Sequence, residues 1–190
     1  GLERAPATAA ASAALVEPAT EPPPAPLPLP ALPAGPSWQE LAHGGDFAGA
    51  IARIEAAGFE ELCESASSEE LLALGDAARL AARSDRARQA WTALRRRFPG
   101  ETEAAVAAFG LGRDAFDRLG AFAEAERWFE TCVREAPSGP LAREAAGRLV
   151  EARVRRGDHV GAREAARAYL ERHPSGPHAE LARSLAGATP

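Results

Sequence analysis

Residues Arg118–Pro137 read RLGAFAEAERWFETCVREAP, and this stretch decides the fold. Ala125, Trp128, Phe129 and Cys132 fall at i, i+3, i+4 and i+7, which is one face of an α-helix. Gly120 opens the stretch at a turn, and Pro137 closes it because proline cannot continue a helix. The phrase recurs upstream as LAARSDRARQAWTALRRRFP at Leu80–Pro99 and downstream as RRGDHVGAREAARAYLERHP at Arg155–Pro174. Lining up Pro99, Pro137 and Pro174 gives spacings of 38 and 37 residues. Ala87, Ala125 and Ala162 then coincide, as do Trp91, Phe129 and Ala166, and also Leu94, Cys132 and Tyr169. A fainter copy, AHGGDFAGAIARIEAAGFEE at Ala42–Glu61, puts Ala50 and Ile54 on the same positions.

A second helical run precedes each phrase, for example ETEAAVAAFGLGRDAFDRLG at Glu101–Gly120. The unit is therefore two antiparallel helices joined at a tight turn such as Gly120 or Gly157. One such pair cannot bury its apolar face, whereas stacked neighbours can. The expected fold is all-α: a right-handed stack, or α-solenoid, of about four helix hairpins, closed by a capping helix near HAELARSLAG. The expected units are roughly 37–66, 67–99, 100–137 and 138–174, with a cap over 175–187. The tetrapeptide PSGP at Pro137–Pro140 and Pro174–Pro177 punctuates them. Its first proline stops a helix and pushes the preceding residue towards extended backbone. Gly139 and Gly176 are expected to allow the change of direction, and Pro140 and Pro177 to suit the first turn of the next helix.

Ten of the 16 prolines lie before Ser37, many of them in EPPPAPLPLPALPAGP. That run favours extended polyproline geometry, so residues 1–36 read as a disordered Ala/Pro-rich linker and 37–190 as the helical domain. At about 3.1 Å per residue, the arm over 18–36 could span roughly 60 Å. Ser37 with Glu40, and Ser67 with Glu70, have the spacing of a capping box and mark helix starts. No run approaches the ~18 apolar residues of a membrane span. No basic leader joined to a leucine-rich segment is visible, and the chain reads equally as a mature form or as a piece of a longer protein.

The repeated residues resemble tetratricopeptide repeats. LLALGDAA supplies Leu74, Gly75 and Ala78 of that pattern, and Gly120, Ala125, Phe129, Cys132 and Pro137 match its second half. Gly157, Ala162 and Pro174 match it less fully, since Ala166 stands where an aromatic is usual, and some loosening of that unit is expected. The units exceed the family's ~34 residues. Longer units ending in P-x-G or P-S-G are similar to those of bacterial envelope proteins, namely the lipoprotein of the outer-membrane assembly machine and the Tol-Pal-associated coordinator. The proline-rich spacer with EAAGRLVEA and YLERHPSGPHAELA also resembles the C-terminal region of FecR-like envelope signalling proteins.

The residue chemistry does not suggest an enzyme. The net charge of −5 argues against a nucleic-acid partner, and all 22 cations are arginine. The basic run Arg95–Phe98 sits at a helix end, where cations oppose the negative terminus. GLGRDA at Gly110–Ala115 fits G-x-G-x-x-A, but no strand precedes it, and Gly110 falls 37 residues before Gly147, so repeat phase accounts for it. His173 and His178 flank the second PSGP without further ligands at metal-binding spacing, so no metal and no cofactor is expected. Asp114 and Asp117 read as a solvated face, Cys63 and Cys132 as small core residues, and Trp91 and Trp128 as buried core.

The resemblance implies a concave surface formed by the first helices, which holds a peptide or partner domain. On the family's phase its residues are Asp76, Arg79, Asp114, Asp117, Arg118, Glu151 and Arg155, a mixed-charge set suited to a peptide of both signs. The expected function is a non-catalytic protein–protein interaction scaffold in the periplasm or envelope of a Gram-negative bacterium, with a cytoplasmic location as the alternative. The other readings are a sensory segment of a larger FecR-like protein and a cell-wall- or lipoprotein-binding factor. A protein or peptide is expected as partner rather than nucleic acid, a small molecule or the membrane interior.

Overall fold

The computed structural model describes residues 35–187, and its secondary structure is entirely helical. Most of the expected proline-rich arm, residues 1–34, lies outside the described residues. Helices α1 (Trp38–His43), α2 (Phe47–Ala57) and α3 (Phe59–Ser65) come first, followed by α4 (Ser68–Leu80) and α5 (Ser84–Arg97). Helix α6 (Thr102–Arg113) runs into one π-helical turn, Asp114–Arg118, and then α7 (Phe122–Glu135). Helices α8 (Ala142–Arg156), α9 (His159–Arg172) and α10 (Ala179–Ala186) complete the described chain. From α4 onward each helix packs on the next in sequence. No helix among the described residues is long and apolar enough to cross a membrane.

Both capping boxes form. The Ser37 hydroxyl accepts from the Glu40 amide at 3.2 Å, while the Glu40 carboxylate accepts from the Ser37 amide at 2.6 Å. Ser67 and Glu70 repeat the exchange at 3.2 and 3.0 Å at the head of α4. Each satisfies amides that a helix start would leave without a partner.

The turns inside the hairpins share one backbone device. Gly45, Ala82, Gly120 and Gly157 all have positive φ, at 82°, 58°, 61° and 82°. They are spaced 37, 38 and 37 residues apart in sequence. Three of the four are glycine, which enters this region without the penalty an L side chain carries, and Ala82 carries that penalty.

PSGP works differently from its sequence reading. The Gly139 amide donates to the Ala136 carbonyl at 3.0 Å, and the Ala142 amide to the Gly139 carbonyl at 3.1 Å. These are two overlapping turns, with Pro137 and Pro140 each at the second position, where the fixed φ of proline fits. The second copy repeats them from His173 to Ala179. Pro140 and Pro177 therefore lie in a turn just before α8 and α10, not in their first helical turns. Nor is left-handed backbone the reason for glycine at 139 and 176. A Cβ on Gly176 would stand 2.1 Å from the Tyr169 hydroxyl, and one on Gly139 would stand 2.9 Å from the Ala136 methyl.

Helix-to-helix approach is set by exchange of volume. Trp91 of α5 lies against Gly75 of α4, and Phe129 of α7 lies against Gly112 of α6. One unit later Ala166 takes the aromatic position, and Val150 of α8 is fully buried in the same cluster. The larger residue thus stands on α8, where the earlier helices carry glycine, and the small one on α9. The pairing also sets the register of GLGRDA. Gly112 is the counterpart of Gly75, and a Cβ on Gly110 would stand 3.0 Å from the far edge of the Trp91 ring. The extra residue of the 38-residue unit is taken up between Gly112 and Gly120, where the π turn lies. A π turn is the ordinary way for a helix to absorb one inserted residue.

Three apolar clusters form the core. The first gathers Ile51, Leu71, Leu74, Trp91 and Leu94, the second Phe109, Phe129 and Cys132, and the third Val150, Tyr169 and Ala182. Trp91 is buried as expected, but Trp128 is only partly so. It bridges the first two clusters, with its Nε1 donating to Glu124 at 3.2 Å and the Arg95 guanidinium 5.3 Å over its ring.

Candidate functional site

The seven residues singled out in the sequence stand on three helices. Asp76 and Arg79 end α4, Asp114, Asp117 and Arg118 belong to the π turn, and Glu151 and Arg155 lie on α8. Arg79, Asp114, Asp117 and Arg118 come together around a small cavity of about 140 Å³, also lined by Trp91, Gly110 and Arg113. Widening the helix at the π turn presents both aspartates and Arg118 to this cavity.

Charge pairing within the site is uneven. Asp114 accepts from Arg88 at 3.1 Å and from Arg118 at 2.8 Å, and Asp117 accepts from Arg148 at 3.3 Å. The Arg148–Asp117 bond ties α8 to the π turn, and Arg148 also reaches Glu151 within α8 at 3.3 Å. Asp76 has, among the described residues, Arg79 alone within ion-pair distance, at 3.6 Å. Crowding by surrounding protein raises the Asp76 carboxyl above its ordinary value, against the pull of Arg79 and Arg113. The carboxylates facing the cavity are thus already engaged. Arg113 has no carboxylate within ion-pair distance among the described residues; its guanidinium lies 6.0 Å over the Phe109 ring and acts on Asp76 only at longer range. The more exposed of these pairs, Arg79–Asp76 and Arg148–Asp117, contribute about 0–1 kcal/mol each, so they orient side chains more than they stabilise the fold.

Arg155 is separate from the cavity. Its guanidinium lies 4.5 Å over Phe122 and 5.7 Å over Phe116, rings that meet edge-on at 5.1 Å. Arg88, Arg113 and Arg148, which shape the electrostatics, were missed in the sequence reading. Arg148 could have been found from its i, i+3 spacing to Glu151, whereas Arg88 belongs to α5 and reaches Asp114 only through packing.

Other reactive groups are tied into the core. Cys63 and Cys132 are free thiols, and burial pushes each up to about 11, so they stay protonated at neutral pH. His173 and His178 both pack on the Tyr169 ring, at 5.3 and 5.9 Å. A carboxylate the spacing did not reveal, Glu151, lies 3.3 Å from His178 Nε2. No group of three or more possible metal ligands occurs among the described residues. Gly110 and Gly112 lie within α6 and face aromatic rings, an arrangement unlike a phosphate-binding loop. No protein-family model matches this sequence, and no curated protein matches it.

Proposed function

We propose that this chain is a non-catalytic interaction scaffold: a tetratricopeptide-like stack of helix hairpins holding a protein or peptide segment across α4, the π turn and α8. The observation that carries it is the convergence of Arg79, Asp114, Asp117 and Arg118 on one cavity, although they are up to 39 residues apart in sequence. The hairpin reading is supported by the four left-handed turn residues and by matching helix ends. Phe98, Ala136 and His173 have φ of −128°, −133° and −137° and similar ψ. A partner's carboxylate would meet Arg113, and the engaged aspartates would hold the site's shape. The mixed charge suits a segment bearing both signs better than a polyanion.

The envelope location follows from the likeness of the PSG-ended units, with cell fractionation as its direct check. The functional test is crosslinking mass spectrometry in the native cell, comparing the wild type with Arg79→Glu/Arg113→Glu. We expect a protein captured by the wild type to be lost from the variant while far-UV circular dichroism is unchanged. Capture of the same proteins by both, or of none above background, would overturn the reading.

A further inference from the structure

The seams along the α3, α5, α7, α9 row are not alike. Between α3 and α5, Arg86 bonds Glu60 at 2.7 Å and Arg97 bonds the Cys63 carbonyl at 2.9 Å. Between α5 and α7, Arg88 bonds Glu124 at 2.9 Å, and Arg95 holds Glu135 through two bonds at 2.9 and 3.0 Å. Trp128 fills the space beneath Arg95. Between α7 and α9 no direct hydrogen bond or ion pair runs among the described residues; Arg153 of α8 bridges them instead, donating to Glu126 and Glu130 of α7 and, at 3.0 Å, to the Gly161 carbonyl of α9. A groove of about 370 Å³ opens beside it.

The sequence register explains the difference. Residues 37 or 38 positions after Arg95, Trp128 and Glu135 are Val133, Ala165 and Arg172. The indole has become a methyl, and the arginine–carboxylate clasp has become a valine and an arginine that cannot pair. All three residues line the groove, with Ala146, Leu149 and Tyr169 as further wall. Its volume lies at the lower end of the roughly 300–1,000 Å³ range of ligand pockets. Glu164, Glu171 and Arg172 give it a polar rim around an apolar floor, the layout of a side-chain hot spot.

We propose that this groove receives an aromatic side chain, indole in the best case, from a segment of a different protein. The protein's own packing identifies the occupant, since one unit earlier the corresponding space is filled by Trp128. A second copy is a poor donor, because the exposed large apolar residues among those described are Leu80, Leu119 and Val160, none of them aromatic. The site is separate from the cavity at Arg79 and Arg113 and does not depend on that reading.

The test uses the full chain and methyl NMR, with N-acetyltryptophanamide as the probe. Saturable shifts at millimolar probe, confined to the methyls of Val133, Ala146, Leu149 and Ala165, are expected, with N-acetylalaninamide producing none. Ala165→Trp should fill the groove and weaken the probe at least tenfold, while Arg113→Glu should leave it unchanged. If Ala165→Trp fails to fold, Val133→Arg/Arg172→Glu closes the same seam by rebuilding the upstream clasp. Absent or unsaturable shifts, shifts that survive the closing variant, or self-association lost on closing it would each overturn the proposal.

Discussion

Gly75 and Trp91 compete for one volume: a methyl group on Gly75 would stand 2.2 Å from the indole Nε1. Glycine inside a helix costs about 1 kcal/mol against alanine, so its presence in α4 reflects packing. Gly75→Ala gains that propensity but must displace a fully buried ring, and overpacking costs typically ~1–3 kcal/mol. We expect net destabilisation of about 1–2 kcal/mol by urea unfolding. Gly110→Ala, whose Cβ would stand 3.0 Å from the ring edge, should cost less.

Ala82 is the one non-glycine residue with positive φ among the described residues. A left-handed alanine costs about 1–2 kcal/mol. Ala82→Gly should therefore stabilise the chain by up to about 1 kcal/mol. Gly120→Ala should move stability the other way, and thermal melts of the two variants check the sign directly.

Val150 and Ala166 form the inverted version of the Gly112–Phe129 exchange. Ala166→Phe alone should overpack and Val150→Gly alone should leave a cavity, each destabilising. Together they should recover a substantial part of the loss, giving a double-mutant coupling of roughly 0.5–3 kcal/mol. Strict additivity would show that the two side chains do not share space.

Glu135 and Glu124 are held below their ordinary values, first by hydrogen bonds from Arg95 and Arg88 respectively. Between the folded and unfolded values the unfolded chain binds more protons, so stability rises with pH there. The contribution is present above the unfolded value, near about 4.3, and is lost as pH falls through the lower folded value. Melting temperature should therefore drop on acidification from pH 6 to about 3. Glu135→Gln should start lower and show a shallower slope in scanning calorimetry.

The helices and their ends were legible because they rest on local chemistry: capping boxes at Ser37 and Ser67, and apolar residues at helical spacing around Phe129. The π turn was hidden, since a 38-residue unit among 37-residue neighbours reveals an insertion but not where it is absorbed. Gly139 and Gly176 were read for backbone freedom because a sequence does not distinguish glycine kept for φ from glycine kept for space. Trp128 matched the buried period, yet its indole nitrogen reaches outward to Glu124. The candidate site was half legible: Arg79, Asp114, Asp117 and Arg118 share a cavity, whereas Arg113 matters because no carboxylate among the described residues comes within ion-pair distance of it, which only folded neighbours define.

The groove beside α9 also has a mechanical consequence. Arg153 of α8 spans it, holding Glu126 and Glu130 of α7 on one side and the Gly161 carbonyl of α9 on the other. Among the described residues the first two apolar clusters share Trp128, and the second and third share Leu149. Under load α9 and α10 should therefore bend about α8, with Arg153 as the pin of the joint. Whatever wedges into the groove would splint that joint, turning capture of a single ring into local rigidity.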